Sequence, residues 1–504
     1  MQWNHYIYNR IGDGVAITKY LPGEAQEESV ITLPSHIDGL PVTEIGAEAF
    51  TENGAFLSEI EVPSTVRRIG EGAFKLCMSL SRLILHDGLE EIGEDALYLT
   101  PLSEVTLPDT VRRIGAPWEL SVILFSVSEH HPYFYTDGIC LYQNHGGEKE
   151  LLVACQQTCP AEYRVADGTT AIGEGAFAGS NTLERIVLPD TLCVIGENAF
   201  SHCIRLREIH LPAAVESIGR GALSDTFGWS ETLVGLEKIT ADGRNPHFMT
   251  DGNALYEIGE DKTRYIVKYF GAGLSWEIPE DVSRILPGAF RRAGFRRCRI
   301  PESVKDVGRD AFRECARLEE LELAESGVRL YVPREPVYRK DEITALLFSA
   351  ERESRERQDL GALPEKWKDF AAYHPKTERP PRRSLEGYVY DYRGYDALFP
   401  TYRSLRERCG MACCRLMNPV LLEEDASHTY RAFLEENLTD ILHDISKMQD
   451  MDRLAALAEL GLFTVANIEE CLDVFAQTGR TKCTGFLLNY KREHLGESDF
   501  DFSL

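Results

Sequence analysis

Long apolar runs are missing from this chain. No stretch of about 18 consecutive apolar residues occurs, so a membrane-spanning helix is not expected. The N-terminus, MQWNHYIYNRIGDG, lacks a basic start followed by an apolar run; no secretory signal is read there and a cytoplasmic location is expected, an extracellular one following only for a trimmed sequence. Positive charge is also scarce. Against 81 Asp and Glu stand 54 Lys and Arg, a formal charge of -27, which repels phosphate backbones and anionic lipid. Nucleic acid and membrane are therefore not expected partners, whereas a basic ligand would be steered inward. The 13 cysteines include no C-x-x-C pair, and their odd number rules out a complete intramolecular disulfide set, as suits a reducing compartment. Short catalytic signatures are absent too: there is no G-x-x-x-x-G-K-[ST] loop, H-E-x-x-H, EF-hand loop or G-x-S-x-G elbow. An enzyme is not expected, nor a cofactor or a resident metal.

What the chain has in abundance is one sentence rewritten. Leu183, Ile186, Leu188, Pro189, Leu192, Ile195, Gly196, Ala199 and Phe200 recur 23 residues later as Leu206, Ile209, Leu211, Pro212, Val215, Ile218, Gly219, Ala222 and Leu223. A unit this short cannot bury its own apolar edge and must stack on copies of itself. Ile45-Gly46 with Ala49-Phe50, Ile69-Gly70 with Ala73-Phe74, Ile92-Gly93 with Ala96-Leu97, Ile172-Gly173 with Ala176-Phe177, and Val307-Gly308 with Ala311-Phe312 repeat the landmarks. Cys77, Cys203 and Cys315 each stand three residues beyond a Phe of this motif, the place of a small packing side chain.

The pattern L-x-x-I-x-L-P-x-x-[LV]-x-x-I-G-x-x-A-F resembles the BspA-type leucine-rich repeat. That resemblance implies a repeat solenoid with short parallel strands on its concave side, used for binding, and names no partner. The fold class expected is thus a BspA-type leucine-rich-repeat solenoid with small β-hairpin insertions, followed by an α-helical C-terminal domain.

The chain divides accordingly. Residues 1–30 read as an N-terminal cap, with Asp13-Gly14 as a hairpin turn, and residues 31–326 as the solenoid. Two insertions, near 128–160 and 242–272, copy one another: Pro132, Phe134, Thr136, Asp137, Gly138, Leu141 and Tyr142 return 114 residues on as Pro246, Phe248, Thr250, Asp251, Gly252, Leu255 and Tyr256. Each reads as strand, Asp-Gly turn, strand and a third apolar run, set beside the solenoid. Residues 327–392 hold a closing strand, a helix in 341–358 and a Pro/Arg-rich linker. Residues 393–504 form a helical domain, with helices expected around 394–416, 428–446, 450–460, 465–478 and 481–491. Within it NIEECLDVFAQTGRTKCTGFLLNYK, near 465–491, resembles an ankyrin-like helix pair turning at Gly479.

Three weak constellations compete with packing. Cys409, Cys413 and Cys414 with His428 downstream would suit a thiol nucleophile or a metal, but fit no ligand spacing, and buried helical cysteine is commoner. His130-His131 would suit a metal, yet adjacent side chains on an extended chain point apart, which favours a solvated loop. Asp137 and Asp251 precede glycine and read as turns before calcium sites.

The stronger candidates flank the Ile of L-x-x-I-x-L-P, since alternation turns them outward. They are Glu59, Glu61, Arg82, Glu104, Thr106, Arg185, Glu208, His210, Lys238, Thr240, Arg297, Arg299, Glu320 and Glu322. A solvated charged sheet is the competing reading. The function expected is non-catalytic recognition of a protein or peptide on the concave face. The alternatives are an enzymatic or effector activity in the helical domain, targeted by the repeats, and a cell-surface adhesin.

Overall fold

The computed structural model describes residues 1–22, 29–51, 55–115, 124–156, 158–223, 236–259, 262–308, 311–324, 328–332 and 392–496. These fall into two compact units, one ending at Lys262 and one running from Thr263 through the helical region. The helix expected in 341–358 and the Pro/Arg-rich linker lie outside the described residues.

In the first unit each repeat supplies two strands. The L-x-x-I-x-L-P segments form parallel ladders: Val30–Thr32, Glu59–Glu61 and Arg82–Ile84; Glu104–Leu107 with Leu124–Val127; and Glu162–Arg164, Arg185–Val187, Glu208–Leu211 and Lys238–Ala241. A second set of ladders, which the repeat pattern did not announce, uses the residues leading to each Ile-Gly. Leu40–Ile45, Arg68–Ile69, Glu91–Ile92 and Arg113–Ile114 form one, and Ala171–Ile172, Val194–Ile195 and Ser217–Ile218 another.

After the second strand of a repeat the Ala-Phe turn drops its ring inward, onto the ring of the next rung. Tyr20, Phe50 and Phe74 succeed one another at 5.3 and 5.1 Å, and Phe177 lies 5.3 Å from Phe200. The recurrent cysteine packs beneath: Cys77 Sγ donates to the Phe50 carbonyl at 3.8 Å and Cys203 Sγ to that of Phe177 at 3.1 Å, so each thiol joins two rungs. All 13 cysteines are free thiols.

Two ladders of the Ile-Gly kind begin alike. At the N-terminus Tyr6–Ile11 and Gly14–Tyr20 pair antiparallel around Gly12-Asp13, one residue before the expected Asp13-Gly14 turn, because Ile11 pairs with Gly14. Gly14–Tyr20 then runs parallel to Leu40–Ile45. In the first insertion Phe134–Thr136, Cys140–His145 and Glu148–Ala154 form an antiparallel meander, and Glu148–Ala154 continues parallel to Ala171–Ile172. The insertion is therefore the first rung of the next ladder, not an appendage beside it. The second insertion supplies the antiparallel pair Phe248–Thr250 and Ala254–Ile258.

The second unit opens with Arg264–Tyr269, parallel to Val282–Ile285, with Asp306–Val307 next in the ladder. Its other ladder, Ser275–Glu277, Arg297–Ile300 and Glu320–Leu323, ends when Val328–Tyr331 pairs antiparallel with Glu320–Leu323. Reversing the last strand stops the parallel stack, and helices cover it.

Those helices are α1 (Tyr392–Ala397), α2 (Leu405–Met417), α3 (Glu424–Glu436), α4 (Leu438–Met448), α5 (Met451–Glu459), α6 (Ile468–Gln477) and α7 (Thr481–Tyr490). The expected single helix over 394–416 is broken: Pro400 lies in a 3₁₀ turn, Phe399–Thr401, and Ser404 caps α2 by accepting from the Glu407 N–H. The one over 428–446 divides at Asn437, whose side-chain amide donates to the Phe433 carbonyl at 2.8 Å. Tyr395 Oη donates to the Tyr331 carbonyl at 2.6 Å, and Gly410 of α2 stands so close to the Tyr331 ring that an added Cβ would lie 2.6 Å from it.

Candidate binding surface

Each rung of the L-x-x-I-x-L-P ladder buries its Ile and turns the neighbours outward. Ile60, Ile186 and Ile209 are buried, while Glu59 and Glu61, Arg185, and Glu208 and His210 beside them are half-buried or exposed. Parallel register then sets equivalent residues side by side on successive rungs, Glu59 against Arg82 and Arg185 against Glu208 against Lys238.

The outward residues answer one another in charge. Glu59 meets Arg82 at 3.2 Å. Glu208 is clasped from both sides, by Lys238 at 2.8 Å and Arg185 at 2.9 Å, and these donors hold its carboxyl below the usual range, Lys238 contributing most. Glu61 is lowered in the same direction by hydrogen bonds from His86 and then Thr32, each at 3.0 Å. His210 Nδ1 lies 2.9 Å from Thr240 Oγ1. Glu104 and Thr106 are exposed, and their side chains hold no ion pair or hydrogen bond with another described residue.

In the second unit Arg299 bridges Glu280 at 2.9 Å and Glu322 at 3.5 Å, and Arg329 reaches Glu322 at 3.6 Å. Arg297 lies 3.9 Å from Glu320 and 3.3 Å from Asp452 at the start of α5. The helical region thus already occupies part of the outward row in this unit. These ion pairs are largely solvated, so their energetic weight is small, on the order of 0 to 1 kcal/mol each.

A second charged row went unread in the sequence. The residues before each Ile-Gly, namely Glu44, Arg68, Glu91 and Arg113, alternate in sign along their ladder, with Arg68 at 3.9 Å from Glu44 and 3.6 Å from Glu91, and Arg113 at 3.2 Å from Glu91. The signal was present, one position before a landmark already located.

The weaker constellations resolve as structure. Cys409 and Cys413 share a buried face of α2, with sulfurs 4.0 Å apart; the neighbouring thiol and burial push Cys413 well up, and burial pushes Cys414 up to about 12. His428 is exposed on α3 and hydrogen-bonds to none of the three. Asp137 and Asp251 cap their own turns, accepting from Ile139 N at 2.9 Å and Cys140 N at 2.7 Å, and from Asn253 N at 2.8 Å and Ala254 N at 2.9 Å. His131 is buried, contrary to the solvated loop expected, while His130 is exposed. Among the described residues no group of three or more His, Cys, Asp or Glu is placed to hold a metal ion, and no helix is long and apolar enough to cross a membrane.

Residues 30–117, 156–239 and 273–331 match, in six copies, the family model described as the BspA type leucine rich repeat region. This chain carries BspA-type leucine-rich repeats. Protein–protein or surface recognition is what such repeats bring with them. Among solved structures, a leucine rich cell surface protein from Faecalibacterium prausnitzii is 25% identical, covering 64% of this chain and 76% of that one, with a TM-score of 0.37. Leucine-rich repeat proteins from Bacteroides ovatus (20% identity, 64% and 70% covered, TM-score 0.32) and Eubacterium ventriosum (16%, 60% and 89%, 0.39) are also similar. No curated protein matches.

Proposed function

We propose that this BspA-type repeat protein is a non-catalytic recognition scaffold, holding a protein or peptide on the outward, concave side of its L-x-x-I-x-L-P ladders. The observation that supports this reading is the register: Glu59 stands against Arg82, and Glu162, Arg185, Glu208 and Lys238 succeed one another at the same height, giving rows of alternating charge over which an extended partner finds repeated contacts. Within those rows Glu104 and Thr106 have their side chains uncommitted to other described residues. The net charge of -27 favours a partner with basic groups over nucleic acid or an anionic membrane. Thirteen free thiols, most of them buried, suit a cytoplasmic, reducing setting.

The test is capture from the native source with the full chain and with a Glu59→Lys, Arg185→Glu, Glu208→Lys variant. A partner held by the native chain should be lost from the variant, or held with altered salt dependence, while both melt cooperatively. Equal capture by both would sink the assignment of these rows.

A further inference from the structure

The outward ladder of the first unit stops at Leu124–Val127 and starts afresh at Glu162–Arg164. Between them in sequence lies the first insertion, and its three strands all belong to the Ile-Gly ladder, where other rungs supply one. The outward side of that rung supplies Leu124–Val127 alone, so it is short of strands where the opposite side gains them. Arg82–Ile84 and Glu104–Leu107 also fall in different ladders, yet there the Ser103 N–H and Oγ both reach the Ser81 carbonyl at 3.4 Å. Among the described residues no hydrogen bond joins Leu124–Val127 to Glu162–Arg164.

Both margins of the interruption carry unspent backbone. Successive residues of a strand aim their peptide groups to opposite sides. The Ala161 carbonyl accepts from the Arg185 N–H at 2.9 Å and the Val165 N–H donates to the Val187 carbonyl at 3.0 Å, so Glu162 and Arg164 direct their N–H and C=O away from Arg185–Val187. Leu124 stands against Glu104 as Arg82 stands against Glu59, and the Arg82 N–H donates back to the Ser58 carbonyl at 3.1 Å. Phe125 and Val127 therefore turn their peptide groups onward, into the interruption. Outward side chains are unspent at the same place. Glu59 is paired with Arg82, and Glu208 with Arg185 and Lys238, whereas the side chains of Glu104, Thr106, Glu162 and Arg164 are exposed and hold no ion pair or hydrogen bond with another described residue.

We propose that an extended peptide adds here as a strand of the outward ladder, a mode in which main-chain hydrogen bonds hold the peptide and alternate side chains select it. The flanking residues define its sequence. In a parallel register its first residue lies between Leu124 and Glu162, its second between the buried Phe125 and Tyr163, and its third between Ser126 and Arg164. Lysine or arginine suits the first place, with its stem on Leu124 and its charge toward Glu162. An aliphatic residue suits the second, and an acidic one, facing Arg164, the third. The partner is a protein segment with a basic, an aliphatic and an acidic residue in succession. This rests on the outward side being the recognition surface, and makes the backbone at its interruption, rather than the paired charge rows, the holding contact.

The experiment uses the full chain and a dye-labelled peptide of about eight residues, an ordinary strand length, with Lys-Val-Glu at its centre between serines and threonines. Fluorescence anisotropy should show saturable binding, and amide hydrogen exchange of residues 125–127 and 162–164 should slow when the peptide is added. Glu162→Lys with Arg164→Glu should weaken binding about fivefold or more by reversing two ion pairs, with melting unchanged, and a Glu-Val-Lys peptide should then prefer the variant. N-methylation of the central amides should abolish binding. A peptide that fails to bind, that binds equally well when N-methylated, or that leaves those amides unprotected would overturn strand addition. The charge rows would still stand in each of those cases, since they fall only on equal capture by the native chain and the Glu59, Arg185, Glu208 variant.

Discussion

At Gly219 an added Cβ would lie 2.4 Å from the backbone nitrogen of Glu197, and at Gly308 2.2 Å from that of Pro287. Backbone cannot yield as a flexible side chain does, so the glycine of each Ile-Gly sets how closely successive rungs approach. Gly219→Ala should therefore destabilise by about 1 to 3 kcal/mol through overpacking, and Ile195→Ala by about 2 to 5 kcal/mol through the cavity it leaves, both read by urea unfolding with Glu208→Ala as a near-neutral control. The repeat alone would give Ile218→Ala the same cost as Ile195→Ala. The structure separates them: Ile195 is fully buried and Ile218 half-buried, so its loss should be smaller. Which residues face inward was legible from alternation. How completely each is covered was not, because that depends on the neighbouring rung stacked over it.

At the scale of an element, the helices show what periodicity can and cannot deliver. Of the apolar stripe expected at Leu454, Leu457 and Leu460 the first two are buried and Leu460, at the end of α5, is only half-buried, while Ile468, Leu472 and Phe475 are all buried; α5 to α7 match the helices expected over 450–460, 465–478 and 481–491. Apolar residues continue at helical spacing through the break between α1 and α2, so the pattern reads as one helix there although Pro400 and Ser404 mark the interruption. Two-residue strands such as Arg68–Ile69 offer no alternation to detect. Invisible to any pattern is the join between α1, α2 and α3. Arg415, fully buried on α2, donates to both oxygens of Asp396 on α1 at 2.7 and 2.9 Å, and Tyr430 of α3 donates to the same carboxylate at 2.8 Å. Arg415→Met should cost about 3 to 5 kcal/mol by stranding the Asp396 charge, and Arg415→Met with Asp396→Leu should recover much of it, as thermal melts of the three proteins would show.

Across the whole molecule the outward rows were the legible part of the candidate site, since their positions follow from the repeat. What the sequence could not convey is that one row is already partly engaged by the chain itself, because Arg297 and Asp452 meet across 155 residues of sequence. The repeated hairpin openings carry a consequence for ancestry. The first supplies the opening rung of the ladder that follows it, and the segments at 132–142 and 246–256 are near-copies in identical register. A slip between them during recombination would remove residues 132–245 in frame and rejoin a hairpin to a rung of the kind it already adjoins. The shortened chain should fold cooperatively with its strand content intact per residue, as circular dichroism and melting would reveal, whereas a cut shifted by half a repeat should not. Length in such a protein is a heritable variable, adjusted in whole blocks.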